Sequence, residues 1–184
     1  MENTKPFNTL FLDRDGVINI QRKGDYVKSV DEFVFIDGSL EALKILSSLF
    51  TYIIIVTNQR GVGRGIMTLK QLEEVHRFML HEITSKGGRI DKIYFCTATD
   101  TTDINRKPNA GMALQAKRDF PTIDFQKSIM AGDSISDMQF ADNAHIPPVL
   151  IGDKYTPDKI SHINIQAHYP DLLTFTNHII QGFL

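Results

Sequence analysis

Cysteine is nearly absent from this chain: Cys96 is the only one. An internal disulfide is therefore excluded, and a lone thiol fits a reducing, cytoplasmic compartment. Net charge is scarce too, because 20 Lys and Arg against 22 Asp and Glu leave only −2. That balance implies no general attraction to nucleic acid or to an anionic membrane. No apolar run approaches the roughly 18 residues that a membrane span requires. Met1 to Pro6 hold no apolar h-region, so no secretory leader is expected. Internal repeats and low-complexity tracts are missing as well. What remains is an ordinary globular composition over 184 residues. It is expected to form one domain over residues 1–184, large enough to bury a real core and monomeric.

Within that chain, short β-branched or apolar runs alternate with helical patterns. Thr9–Leu12, Tyr52–Val56, Lys92–Cys96, Ser128–Ala131 and Val149–Ile151 read as buried strands. Leu40–Phe50 reads as a helix with Asp37 or Ser39 as its cap. Thr68–Lys86 is the clearest helix. Thr68 and Gln71 form a capping box, Met67 and Leu72 suit a hydrophobic staple, and Leu72, Val75, Met79 and Ile83 make the apolar face. Gly87-Gly88 ends it. Pro108 suits the first turn of a helix running to about Asp119, and Ile135–Ala144 and Asp171 to about Gly182 complete the set. The alternation predicts an α/β fold: a single doubly wound, Rossmann-like parallel sheet with helices on both faces and no separate cap domain. Ligands bind such sheets beyond the carboxyl ends of the strands. The loop-rich stretch Ile20–Asp37 is expected to lie over that edge.

Chemistry-bearing residues fall at those strand ends. Thr9-Leu10-Phe11-Leu12 runs directly into Asp13-Arg14-Asp15-Gly16. Unpaired carboxylates at the end of a buried strand are costly, by several kcal/mol in order of magnitude, so a metal, a cation or a chemical role must compensate. Thr57-Asn58-Gln59 follows Ile53–Val56, Arg106-Lys107-Pro108 precedes a helix, and Gly132-Asp133-Ser134-Ile135-Ser136-Asp137 follows Ile129–Ala131. Gathered at one sheet edge, these groups can hold a hard divalent cation on oxygen and a phosphate between cation, lysine and amides.

Asp13-x-Asp15, Thr57, Lys107 and Gly132-Asp133-x-x-x-Asp137 resemble the four motifs of the haloacid dehalogenase superfamily of aspartate-nucleophile phosphatases. Asp13 to Asn19, Thr57-Asn58-Gln59-x-Gly61-x-x-Arg64-Gly65 and Arg106-Lys107-Pro108-x-x-Gly111-Met112 are similar to its heptose-bisphosphate and histidinol-phosphate phosphatase family. The likeness covers about Thr9 to Ile151, and the tail more loosely. It implies a phosphoric monoester hydrolase in which Asp13 is the nucleophile and Asp15 the proton donor and acceptor. It implies Mg²⁺ held by Asp13, Asp133 and the backbone carbonyl of Asp15. Thr57, with Asn58 and Gln59 beside it, would bind phosphoryl oxygens. Lys107 would neutralise charge, helped by the start of its helix, and Asp137 and Gly16 would support the site.

The resemblance further implies a small phosphorylated metabolite as partner, first a heptose 1,7-bisphosphate cleaved at C7. Gly61, Gly63 and Gly65 would let a loop wrap it, and Arg64 and Arg106 would bind a second anionic group. Arg60 stands where that family more often has a small polar residue. Histidinol phosphate is the alternative, and its amine would need Asp25, Asp31 or Asp100. A receiver-like phosphoacceptor is the reading from another class, but Cys96 occupies the place of its aspartate. A ligand-binding pseudoenzyme would not need this complete chemical set, and haloalkanoate dehalogenase chemistry has no need of Asp15 as an acid. Many relatives carry a zinc loop between the third strand and the lysine motif. Here Cys96–Asn105 keeps one cysteine and no histidine, so no structural zinc is expected. The six histidines show no metal spacing, and His76 and His81 read as solvated or partly packed.

Overall fold

The structure, a computed structural model, describes residues 7–182. The leader reading of Met1–Pro6 lies outside them. Six strands form one parallel sheet: β1 (Phe7–Leu12), β2 (Phe50–Asn58), β3 (Lys92–Cys96), β4 (Ile129–Gly132), β5 (Pro148–Ile151) and β6 (Ala167–Tyr169). Their order is β3-β2-β1-β4-β5-β6, so the strand order reverses between β1 and β4. The helices are α1 (Ser39–Leu49), α2 (Arg60–Gly63), α3 (Leu69–Ser85), α4 (Gly111–Asp119), α5 (Ile135–Ala144), α6 (Pro157–Ile160) and α7 (Leu172–Ile180).

The period of two in an extended chain sorts the strand residues onto two faces. Leu10, Leu12, Ile53, Ile55, Ile129 and Ala131 meet the apolar stripes of α1, α3 and α7 in one core. Phe11, Ile54, Val56 and Met130 meet Met112, Ala113 and Ala116 of α4 and Phe140, Ala141 and Ala144 of α5 in the other. Both faces are covered, which is why these strands are continuous apolar runs rather than alternating ones. Each fully buried aliphatic side chain stabilises the fold by about 1.5–3 kcal/mol.

Several local expectations change. Neither Asp37 nor Ser39 caps α1; Gly38 does so in the left-handed conformation, with φ +79°. Pro108 does not sit in the first turn of α4. It follows a cis Lys107-Pro108 bond, and the helix begins only at Gly111, so Lys107 gains nothing from a helix start. The capping box at Thr68 and Gln71 is present. β6 and α6 are additions, each too short to leave a periodic trace in sequence.

Candidate active site

Strands β1 and β4 are neighbours, with Leu12 paired to Ala131. The residues that follow them, Asp13 and Asp133, therefore leave the sheet side by side at the point where strand order reverses. The Asp13 amide continues the ladder, donating to Ala131 at 3.1 Å. Beyond Asp13 the chain turns: the Ile18 and Asn19 amides fold back onto the Arg14 carbonyl, and Gly16 adopts φ +90°. A side chain at Gly16 would collide with the Asp133 carboxylate, its Cβ falling 2.4 Å from Oδ2. A side chain at Gly132 would collide with Asp137 at 2.3 Å. Both glycines make room for carboxylates.

Asp13, Asp133 and Asp137 are all buried, and each can place one carboxylate oxygen within 4.8 Å of the others. Lys107, itself buried, enters this cluster. Its Nζ lies 2.9 Å from Asp13 Oδ1 and 2.6 Å from Asp137 Oδ1, and it donates to the Val56 carbonyl at 2.8 Å. Three acceptors use all three of its N–H bonds. Asp137 is held from its other oxygen, which accepts from the amide and hydroxyl of Ser134 in the capping box of α5. The Ser-x-x-Asp pattern was there to be read in the sequence.

Three buried carboxylates here face one buried ammonium, that of Lys107. Burial pushes the Asp13 carboxyl up to about 7, with Lys107 pulling it down and Asp137, Asp133 and Asp15 adding to the rise. Burial likewise lifts Asp133 to about 6, reinforced by Asp137. Burial opposes the Lys107 ammonium, but Asp13 and Asp137 outweigh it and hold its pKa above the usual lysine range. Asp133 Oδ1 is buried with no hydrogen-bond partner. Crowded carboxylates with raised pKa values and a buried, unpartnered oxygen suit a hard divalent cation.

Asp15 lines the same cavity as Asp13, Thr57, Asn58, Lys107 and Asp133. Its carboxylate is turned aside. Arg14 Nη2 donates to both oxygens at 2.9 Å, and Asn19 Nδ2 and Gln59 Nε2 each donate at 2.9 Å. Burial alone would raise its pKa, but Arg14, Asn19 and Gln59 together lower it. Gln59 also donates to Thr57 Oγ1 at 3.0 Å, which leaves the threonine hydroxyl proton free to point into the cavity. The Asn58 side chain is engaged elsewhere: it exchanges two 3.0 Å hydrogen bonds with the backbone of Lys107 and so fixes where that lysine starts.

Other expected residues go different ways. Ile20–Asp37 does wall the cavity, through Gln21, Arg22, Asp25, Tyr26 and Val27. Arg64 lines an adjoining groove with Arg22, Lys23 and Arg60. Arg106 lines neither; it donates to the Ala98 carbonyl at 3.1 Å. The Gly61–Gly65 segment is not a wrapping loop. Gly61 and Gly63 belong to the single turn α2, where a Cβ would fall 2.7 Å from the Tyr26 ring and 2.0 Å from the Thr97 carbonyl oxygen. Their smallness serves close packing. One residue that sequence reasoning passed over also reaches the site. Lys154, in the loop after β5, meets Asp133 Oδ2 at 3.3 Å and Gln21 at 3.2 Å. His76, expected to be solvated or partly packed, is buried against Arg14. Cys96 is a buried strand-end thiol whose pKa burial raises.

Comparison with known proteins places this geometry in a family. The family model described as polynucleotide kinase 3 phosphatase matches residues 8–150. A D-glycero-alpha-D-manno-heptose-1,7-bisphosphate 7-phosphatase of Mycobacterium bovis is 41% identical over 135 residues, covering 73% of this chain and 71% of that protein. A D-glycero-beta-D-manno-heptose-1,7-bisphosphate 7-phosphatase of Neisseria meningitidis is 35% identical over 179 residues, covering 94% of each. The crystal structure of a D,D-heptose 1,7-bisphosphate phosphatase from B. bronchiseptica, complexed with magnesium and phosphate, superposes with a TM-score of 0.84 at 28% identity, covering 95% of this chain and 99% of that one. These matches run over most of the chain, and the chain belongs to the haloacid dehalogenase-type phosphatases, in the family that holds the heptose-bisphosphate phosphatases.

Proposed function

We propose that this phosphatase removes the C7 phosphate of a D-glycero-D-manno-heptose 1,7-bisphosphate. The observation that carries the reading is the groove beside the catalytic cavity. It is lined by Arg22, Lys23, Arg60 and Arg64 and shares Gln21, Arg22, Asp25 and Tyr26 with the cavity. Among the described residues, the side chains of Lys23, Arg60 and Arg64 have no hydrogen-bond or ion-pair partner. Unpaired cations converging on one groove suit a second phosphate carried by the same substrate. The names of the relatives support the same class, with both anomers represented. Histidinol phosphate fits less well. Its ammonium group would need a free carboxylate, and Asp25, the one of Asp25, Asp31 and Asp100 that lines the cavity, is already paired with Lys28 and Arg22.

In this reading Asp13 attacks phosphorus in line. The bond from phosphorus to the C7 oxygen breaks as the bond to the Asp13 carboxylate forms. Asp15 gives its proton to the departing alkoxide, then takes one from the water that cleaves the aspartyl-phosphate and releases inorganic phosphate. Its four N–H contacts favour the ionised form in the free protein, which suits the second half. The dianionic phosphoryl group beside it favours the protonated form in the first. The Thr57 hydroxyl and the main-chain N–H of Asn58 donate to phosphoryl oxygens, and Lys107 offsets the charge that develops near Asp13. Asp13, Asp133 and the Asp15 carbonyl would hold Mg²⁺, which when bound supplies positive charge to the transferring phosphoryl group.

Removing both Arg60 and Arg64, as alanines, should lower kcat/KM for the heptose bisphosphate by about 30-fold or more while changing 4-nitrophenyl phosphate hydrolysis less than about threefold. Equal losses on both substrates would remove the groove from the argument. A panel of sugar bisphosphates, sugar monophosphates and histidinol phosphate ranked by kcat/KM tests the substrate directly.

A metal prediction follows from the raised carboxyls. The Asp13 and Asp133 pKa values stand at about 7 and about 6 when folded, against 3.8 in the reference state. Between roughly pH 4 and 7 the unfolded chain therefore binds fewer protons, and the metal-free protein should lose stability as pH rises through that window. Mg²⁺ should restore Tm at about pH 7.5 and do little at about pH 4.5, where protons already occupy the carboxylates. Thermal melts with and without Mg²⁺ at the two pH values would show it. An identical Mg²⁺ shift at both would refute the charge argument.

A further inference from the structure

Behind Asp15 lies a buried chain of polar contacts that the proposed chemistry does not use directly. Arg14 is fully buried, with 0% of its surface exposed. One end of its guanidinium grips Asp15 through two 2.9 Å contacts. The other end, Nη1, lies 3.1 Å from His76 Nε2. A guanidinium can only donate, so Nε2 is the acceptor and the ring proton sits on Nδ1. Burial, with Arg14 adding to it, presses the His76 pKa down to about 3, which keeps the ring neutral and able to accept. The ring is held by α3, whose Val75 and Met79 are core residues, and meets Phe95 edge-on with centroids 5.7 Å apart. Arg14 Nε has no partner. His76 is thus the contact that fixes the far end of a guanidinium whose near end fixes Asp15.

We infer that His76 is a positioning residue for the reaction: through Arg14 it sets where the Asp15 carboxyl sits relative to the leaving oxygen. The inference rests on the proposed role of Asp15 as proton donor. Without an acceptor at position 76, Arg14 Nη1 would lose its contact and join an Nε that already has none. The guanidinium would tilt to find others and carry Asp15 with it. Proton donation matters most when the leaving group is poor. A nitrophenolate leaves unaided, whereas a phenolate or an alkoxide needs the proton.

The test compares kcat/KM for phenyl phosphate and 4-nitrophenyl phosphate in the Mg²⁺-loaded wild type, His76→Leu, His76→Gln and Asp15→Asn. Because kcat/KM reports transfer to Asp13, it isolates the donor step. His76→Leu should lose about 30-fold on phenyl phosphate and about threefold or less on 4-nitrophenyl phosphate, and His76→Gln, which keeps an acceptor, should return both to near wild type. Equal losses on the two substrates, or none, alongside a selective loss in Asp15→Asn, overturn the inference and leave the proposed function standing. An unselective Asp15→Asn overturns the donor assignment and the inference with it. If His76→Leu does not fold, His76→Asn, whose amide falls short of Arg14, takes its place and must show the same selectivity.

Discussion

Asp13→Asn should abolish turnover, lowering kcat/KM by at least about 10⁴-fold. The amide has nearly the shape of the carboxylate, so binding and packing survive while the attacking oxygen loses its charge. The same substitution should raise stability in the absence of metal. Burial and three neighbouring carboxylates push the Asp13 pKa to about 7, so at alkaline pH the folded protein is holding a charge it disfavours. An amide relieves that, and Lys107 keeps Asp137 and the Val56 carbonyl as acceptors. Activity assays and metal-free melts at about pH 8 read the two effects on one sample. Retained activity would sink the nucleophile assignment. A lower Tm with lost activity would mean that the Asp13–Lys107 pair outweighs the crowding.

Lys107→Met should be the most damaging single change to the fold of the site. The lysine is the ammonium within 3 Å of both Asp13 and Asp137. Removing one partner of a buried ion pair typically costs about 3–5 kcal/mol, because the other charge is left uncompensated. Here two carboxylates lose their cation at once, with Asp133 beside them. The loss should shrink as pH falls from about 7 to about 5, since Asp13 and Asp133 already stand at raised pKa values and would protonate still earlier without Lys107. Turnover should fall by about 10³-fold with the lost electrostatic support. Urea unfolding at the two pH values, with activity measured alongside, checks both. A loss under about 1 kcal/mol, or one independent of pH, would contradict a neutralising role.

Much of the site was legible because its chemistry sits where strands end. Asp13, Thr57 and Asp133 each lie at the end of an apolar run, and a parallel sheet gathers such positions at one edge, while Lys107 reaches them from the loop before α4. What was illegible depended on direction. Arg14 occupies the spacer position of Asp-x-Asp, and nothing in sequence says that the spacer turns inward to grip its neighbour. His76 lies on an amphipathic helix, where a histidine at the boundary of the apolar stripe reads the same whether it meets water or a buried guanidinium. Lys154 comes from a loop beyond every motif, so only folding brings it to Asp133. The glycines around Arg64 suggested freedom, while the structure uses two of them for contact with Tyr26 and Thr97. Arg22 and Lys23 could be read only as part of a loop near the site, not as the wall that completes a cationic groove.

The clearances at Gly16 and Gly132 carry one more consequence. In sequence they belong to separate motifs over a hundred residues apart. In space each leaves a gap that a carboxylate fills, Asp133 of the β4–α5 turn against Gly16 and Asp137 of the first turn of α5 against Gly132. The gap at Gly16, which joins the end of β1 to the turn after β4, acts as a lock on strand pairing. Were β4 to slide along β1 by a residue or two, Asp133 would leave the one opening that admits it and meet a side chain instead. The sheet therefore has a built-in check on its own alignment. A chain that folds at all around these glycines has, by the same act, brought its carboxylates to the spacing at which they can share a cation.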